Sequence, residues 1–275
     1  MHVPENHTIC TCGAETDYIV YGRGKRNLLI LPGAGDGFRT VRGLAFPFAM
    51  LYRRFADDFR VYVFSRRRTL PDGFSVLEMA KDVGTAMEEL GAEPYDIIGV
   101  SQGGMIAQEL ALQYPDRIGK LVLVVTAAAP NAQMKEALGN WIAWAEAGDY
   151  GRILADSTER SYTGETLKKN MKQVRIMSRL SKPKDLSRFL ILCQSCLGHD
   201  VRNRLDEIRC RTLILGGGMD RVVGPDASYE LAAGICDSEL YMYPEYSHGL
   251  YDQAADFQER VLTWLKSDAD PKGCR

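Results

Sequence analysis

Gly99-Val100-Ser101-Gln102-Gly103 is a G-x-S-x-G pattern between an apolar run, Asp96 to Val100, and a helical-looking one, Gly103 to Tyr114. A serine on a sharp strand-to-helix turn projects its hydroxyl from the top of a sheet, and flanking glycines let helix and strand approach closely. The plainer reading is a serine in a tight turn that does no chemistry. A hydroxyl becomes a competent nucleophile only when a base takes its proton. Four histidines are available: His2, His7, His199 and His248. His2 and His7 precede the core, and His199 adjoins Asp200 in a helical region. His248 follows the last strand-like run in a Pro-Glu-Tyr-Ser-His-Gly loop, from which it can reach the carboxyl ends of the central strands. It is the expected base.

Such a base needs a carboxylate to hold its tautomer and stabilise the imidazolium. Asp220, in LILGGGMDRVV, follows the fifth strand-like run, and Asp226 and Glu245 are weaker alternatives. The other natural position, after the fourth run, reads Thr126-Ala127-Ala128-Ala129-Pro130 and offers no acid. Charge developing on an attacked carbonyl needs preorganised donors. The Gln102 N–H at the start of the helix is one, and the Ala34 N–H in Leu31-Pro32-Gly33-Ala34-Gly35-Asp36-Gly37 is the natural second. A nucleotide phosphate loop is the competing reading of those glycines. Phe38 stands where its third glycine belongs, and no G-K-[ST] follows.

Alternating strands and helices must position these groups. Near-continuous apolar runs mark strands of a parallel sheet covered on both faces. They are Leu28 to Leu31, Val61 to Phe64, Asp96 to Val100, Leu121 to Val125, Thr212 to Leu215 and Leu240 to Tyr243. Asp17 to Tyr21 reads as an antiparallel edge or hairpin strand. Ser75 and Glu78 form an S-x-x-E capping box that opens a helix to Leu90, and a C-terminal helix carries Asp252 as its expected cap. The rhythm implies an α/β fold with a mostly parallel central sheet and helices on both faces. Residues 131–204 break it: they read as helical throughout, an expected cap inserted after the fourth core parallel strand. Residues 1–130 and 205–275 then form the core. Ligands bind beyond the carboxyl ends of strands in open sheets, where such a cap would sit.

Composition narrows the classes. The 275 residues are 45% hydrophobic and 25% charged, which suits a globular chain. Thirty-four Lys and Arg oppose thirty-six Asp and Glu, so nothing points to nucleic acid. No apolar run approaches the roughly 20 residues that span a bilayer. The first twenty residues show no secretory pattern, and a cytoplasmic location is expected. Cys10, Cys12, Cys193, Cys196, Cys210, Cys236 and Cys274 are expected to be mostly free thiols. Zinc on Cys193, Cys196 and His199 is disfavoured for want of a fourth ligand, and the pair is read as packing.

With these residues in place the chain resembles the α/β-hydrolase fold serine hydrolases with a lid, a family of carboxylesterases, enol-lactonases, carbon-carbon bond hydrolases and proline iminopeptidases. GVSQGGMIAQELALQYPDRIGKLVLV carries the likeness best, then LILGGGMDRVV and His248-Gly249. The resemblance implies Ser101 as nucleophile, Asp220 as acid, His248 as base, and Ala34 and Gln102 as oxyanion donors. It implies hydrolysis of an ester, thioester or lactone through an acyl-enzyme, with acyl transfer, carbon-carbon hydrolysis or aminopeptidase chemistry as alternatives, and a binding protein on this fold as a remoter one. A small-molecule substrate is expected, with no cofactor, metal, nucleic acid or membrane, in a monomer or homodimer. Two segments depart from the pattern. Pro32-Gly33 replaces the usual His-Gly, and Ser65-Arg66-Arg67-Arg68-Thr69 replaces a glycine-rich loop. Arg66 is a candidate for binding a substrate anion, though the run also reads as a solvated loop. Trp141 and Trp144, with Tyr150, Tyr162 and Met177, are candidate pocket walls.

Overall fold

Strands form where the apolar runs fall: β1 (Glu5–Thr11), β2 (Ala14–Tyr21), β3 (Arg26–Leu31), β4 (Phe59–Arg67), β5 (Tyr95–Val100), β6 (Ile118–Val124), β7 (Arg211–Gly217) and β8 (Ser238–Tyr243). This computed structural model describes residues 3–11, 13–180 and 182–267; His2, Cys12 and Cys274 lie outside them. The strands make one sheet in the order β1-β2-β4-β3-β5-β6-β7-β8. From β4 to β8 every neighbouring pair is parallel, while β2 is antiparallel to both β1 and β4.

The helices are α1 (Ala45–Leu51), α2 (Val76–Glu89), α3 (Gln102–Gln113), α4 (Ala132–Glu146), α5 (Tyr150–Ser161), α6 (Gly164–Leu180), α7 (Ser187–Leu197), α8 (Asp226–Gly234), α9 (Leu250–Gln253) and α10 (Phe257–Lys266). Alternate residues of each strand feed different cores, as a period of two requires. Leu29 and Leu31 pack with α2, α3 and α8 residues such as Met79, Ile106 and Leu231. Leu28 and Ile30 pack with Ala45 of α1 and Phe257 and Val261 of α10. Both faces are therefore covered. The chain order reverses about β3, so β3 and β5 are adjacent at the switch point, where open sheets bind ligands beyond their carboxyl ends.

Between β6 and β7 stand α4 to α7, with no strand among the described residues. Asn131 caps α4 by accepting from Met134 N at 2.9 Å, and Asp149 caps α5 through Arg152 N at 3.0 Å. The Ser75–Glu78 capping box forms with both of its hydrogen bonds.

The sequence reading needs correction in several places. Asp17 to Tyr21 is the inner strand of an antiparallel hairpin, and β1, which the sequence reading lacks, is the edge. Its alternation is weak, with a burial pattern that is mostly exposed. β4 does not stop at Phe64; pairing with β2 as far as Arg67 carries Ser65, Arg66 and Arg67 into the strand. Asp252 does not cap the last helix. It lies in α9, where it accepts from the Tyr162 hydroxyl at 2.8 Å, and Asp256 precedes α10. Cys10, Cys193, Cys196 and Cys210 are free thiols, but Cys236 is disulfide-bonded.

Candidate active site

β5 ends at Val100, and Ser101 turns the chain into α3 with φ 54° and ψ −120°. Positive φ in a non-glycine residue is a strained conformation that surrounding structure must hold. It is held here by Ser101 N donating to Val124 O at 2.9 Å and by Thr126 Oγ1 donating to Ser101 O at 2.7 Å. Space is the second requirement. A Cβ at Gly103 would lie 2.0 Å from Leu31 O, and one at Gly99 would lie 2.6 Å from Gly103 O. The two glycines of the motif thus let α3 start directly against the ends of β3 and β5. Ser101 makes no side-chain cap bond, which leaves its hydroxyl to other partners.

That partner is His248, whose Nε2 lies 3.0 Å from Ser101 Oγ. On the other side of the ring, His248 Nδ1 lies 2.9 Å from Asp220 Oδ2. A carboxylate accepting from Nδ1–H leaves the Nε2 lone pair facing the serine. Asp220 Oδ1 accepts from Val222 N and Val223 N at 2.8 and 3.0 Å. Burial alone would raise the Asp220 pKa, but the His248 charge and hydrogen bond and these two N–H groups outweigh it and hold the carboxyl below its ordinary value. Asp226 opens α8 and is exposed, and Glu245 offers only its carbonyl, to Thr163 Oγ1.

The β3 end supplies the opposite wall. Pro32 and Gly33 lead into a 3-10 turn, Ala34–Gly37, and a Cβ on Gly33 would lie 3.3 Å from Ser101 Cβ. The first N–H groups of a helix have no partner within it. Ala34 opens this turn and Gln102 opens α3, so both expected donors stand at helix starts beside the serine. Gly33, Ala34, Ser101 and His248 line one cavity of about 250 Å³, with Phe38, Trp141, Tyr162, Phe189 and Tyr251 as aromatic walls and Ser157, Thr158 and Ser161 as hydroxyls. A larger hollow of about 600 Å³, against β8 and α10, contains none of these groups.

Of the expected pocket residues, Trp141 and Tyr162 line the cavity and Arg66, Trp144, Tyr150 and Met177 do not. Arg66 does not line it. This side chain is buried, with Nη2 donating to Pro32 O at 2.5 Å. Nor is the arginine run solvated, because Arg67 pairs with Asp82 and Arg68 with Asp17 and Glu15. Trp144 also lies outside, under the Arg152 guanidinium, while Trp141 does reach the cavity. Tyr150 packs edge-on against Phe38, and Met177 is exposed. His199 is buried near Glu109. Phe38, Phe189 and Tyr251 were missed. Tyr251 had a signal, standing three residues beyond His248; Phe189 had none, since only tertiary packing brings α7 to the cavity.

A family model for the alpha/beta hydrolase fold matches residues 26–255. The chain belongs to that family. It is 29% identical over 265 residues to a 2-hydroxy-6-oxononadienedioate/2-hydroxy-6-oxononatrienedioate hydrolase of Pseudomonas putida, covering 92% of this chain and 88% of that one. It is 27% identical over 194 residues to the 2-hydroxy-6-oxo-6-phenylhexa-2,4-dienoate hydrolase of Comamonas testosteroni, covering 68% of each. Among solved structures, the enol-lactonase from Burkholderia xenovorans LB400 superposes with a TM-score of 0.81 at 19% identity, over 95% of this chain and all of that one. The chain is thus a hydrolase of this fold family. No described helix is long and apolar enough to cross a membrane.

Proposed function

We propose that this hydrolase cleaves a carboxylic ester, thioester or lactone with a small, uncharged acyl group. The observation that carries the reading is the unbroken line Ser101 Oγ, His248 Nε2, His248 Nδ1, Asp220 Oδ2, with links of 3.0 and 2.9 Å, at a pocket lined largely by aromatic side chains. His248 takes the Ser101 proton as Oγ attacks the carbonyl carbon. The Ala34 and Gln102 N–H groups receive the oxyanion. His248 then gives the proton to the leaving oxygen or sulfur, and a water activated by the same imidazole releases the acid.

Two features support the substrate class. The cavity, about 250 Å³, is smaller than most drug-sized sites. Its lining among the described residues includes no lysine or arginine, and Arg66 is committed to Pro32 O. A dianionic substrate, such as the names of some relatives specify, would lack a counter-charge there. We further propose that residues 131–204 act as a lid over core residues 1–130 and 205–275, because Trp141, Tyr162 and Phe189 come from that insertion.

The test combines a fluorophosphonate probe with p-nitrophenyl esters of rising chain length, lactones, and matched esters bearing a carboxylate. We expect labelling at Ser101, preference for short neutral esters, and a loss on the order of 10⁴-fold or more in Ser101→Ala. A folded Ser101→Ala enzyme that keeps more than a few per cent of turnover would remove the serine from the mechanism. Faster turnover of the anionic esters would remove the substrate class.

A further inference from the structure

The oxyanion loop has a mechanical problem. Between Pro32 and Asp36 it reads Gly33-Ala34-Gly35. Glycine is the most permissive residue of the backbone, so such a segment does not hold an N–H in one direction unaided. An oxyanion donor is useful only if it is already aimed before charge develops. Something else must fix the loop.

Arg66 touches both ends of it. Its Nη2 donates to Pro32 O at 2.5 Å, and its backbone N–H donates to Asp36 Oδ2 at 3.0 Å. One residue at the end of β4 therefore clamps the chain immediately before and after Gly33-Ala34-Gly35. Arg188 of α7 reinforces the second anchor, donating through Nη1 to Asp36 O at 2.7 Å and through Nη2 to Asp36 Oδ2 at 2.9 Å. The two segments that depart from the family pattern, Pro32-Gly33 and the arginine run, meet in this clamp.

Its construction is poor for stability alone. Arg66 is 3% exposed, and its Nε and Nη1 have no hydrogen-bond partner among the described residues, nor has Asp36 Oδ1. Two guanidinium groups face one carboxylate, an excess of one positive charge under the loop. Buried charges with unfilled hydrogen-bonding capacity stabilise a fold less than packed apolar side chains of similar volume. What a guanidinium supplies and an apolar side chain does not is a fixed bond to a carbonyl and a field that favours a nearby anion.

We propose that Arg66 is a positioning residue for the oxyanion hole: without touching substrate, it clamps Pro32 and Asp36 so that the Ala34 N–H is held toward the oxyanion on the carbon bonded to Ser101 Oγ. This rests on the ester-hydrolase reading. It predicts a defect confined to the tetrahedral stage, with ground-state binding spared.

The experiment compares wild type, Arg66→Met and Arg66→Lys on one neutral p-nitrophenyl ester and with an alkyl boronic acid, which forms a tetrahedral adduct on the serine. In Arg66→Met we expect kcat to fall about 30-fold with KM within about threefold, and boronate affinity to fall in step with kcat/KM. Arg66→Lys, which keeps a charged donor, should recover part of kcat and of boronate affinity. Should Arg66→Met fail to fold, Arg66→Gln takes its place under the same criteria. A folded charge-free variant with kcat within about threefold of wild type overturns the inference. So does a loss expressed only in KM or only in thermal stability. A wild-type protein that neither takes the fluorophosphonate nor turns over any ester removes the proposed function and this inference together; an active wild type with an indifferent Arg66 variant overturns the inference alone.

Discussion

Asp220 is a carboxylate at 3% exposure, and its two oxygens are used differently. Oδ1 takes the N–H groups of Val222 and Val223, and Oδ2 takes His248 Nδ1–H. That division fixes what an amide would do in its place. In Asp220→Asn the two backbone donors require the amide oxygen, so the NH₂ must face the imidazole. The ring then has to accept at Nδ1 and carry its proton on Nε2, pointing at Ser101 with no lone pair to offer. Geometry would survive while the base is lost, and we expect kcat to fall about 10⁴-fold, the size reported by the corresponding change in serine proteases. Asp226→Asn, on an exposed residue outside this network, should stay within about twofold. Steady-state kinetics on any accepted ester separate the two. An active Asp220→Asn enzyme would mean that another group orients His248.

The insertion between β6 and β7 is hydrogen-bonded to the loop that carries His248. The end of α5 brackets His248 on both sides: Ser247 Oγ donates to Arg160 O at 2.5 Å, and Gly249 N donates to Ser161 O at 2.7 Å. The Tyr162 hydroxyl, bonded to Asp252, extends this seam into α9. Gly249 has φ −88°, which any residue can adopt, so its importance is spatial. A Cβ there would lie 2.7 Å from the Tyr162 ring and 2.9 Å from Ser161 O. Gly249→Ala should therefore displace His248 and lower kcat by about tenfold or more, and adding Tyr162→Ala should restore part of it. No rescue in the double variant would place the defect elsewhere. This seam also marks where sequence reading ends. Apolar runs and the capping box display β3 to β8 and α2, because burial on a periodic element writes itself into local order. Chain order and strand ends were enough to select Ser101, Asp220 and His248, which the fold brings within hydrogen-bond distance. The Arg66–Pro32 bond and the bonds from Ser247 and Gly249 to α5 leave no such trace. They join segments far apart in the chain, often side chain to carbonyl, and a carbonyl is the same whatever residue carries it. Reading the arginine run as a solvated loop missed its partners, which are Pro32 O for Arg66, Asp82 on α2 for Arg67, and Asp17 and Glu15 on β2 for Arg68.

For the molecule as a whole, acid stability should depend on a histidine outside the active site. His199 follows α7 at 3% exposure, with Nδ1 3.7 Å from Glu109 Oε1 on α3 and Nε2 without a hydrogen-bond partner among the described residues. Burial pulls its pKa down from 6.5 to about 4, against a smaller upward pull from Asp200. The sign follows from linkage. Between those values the unfolded chain binds a proton at His199 and the folded chain does not, so stability falls as pH falls. By pH 4.5 the penalty is about 2–3 kcal/mol at about 1.4 kcal/mol per unit. Glu109 pushes the other way. Burial raises its pKa, so the folded state takes that proton at higher pH than the unfolded state and gains stability as pH drops. Because Glu109 is present in both proteins, comparing wild type with His199→Gln isolates the histidine. Thermal melts from pH 7 to 4.5 should show wild type losing on the order of 5–10 °C more than the variant, at about 2–4 °C per kcal/mol for a domain of this size. The variant is expected to be less stable at pH 7 and to converge on wild type in acid, while ester turnover at pH 7 stays near wild type. Parallel melting curves across that range would show that His199 titrates in the folded protein as it does in the unfolded chain, and any acid sensitivity would then come from carboxylates such as Asp17 and Asp220, whose lowered pKa values act in the same direction but at lower pH.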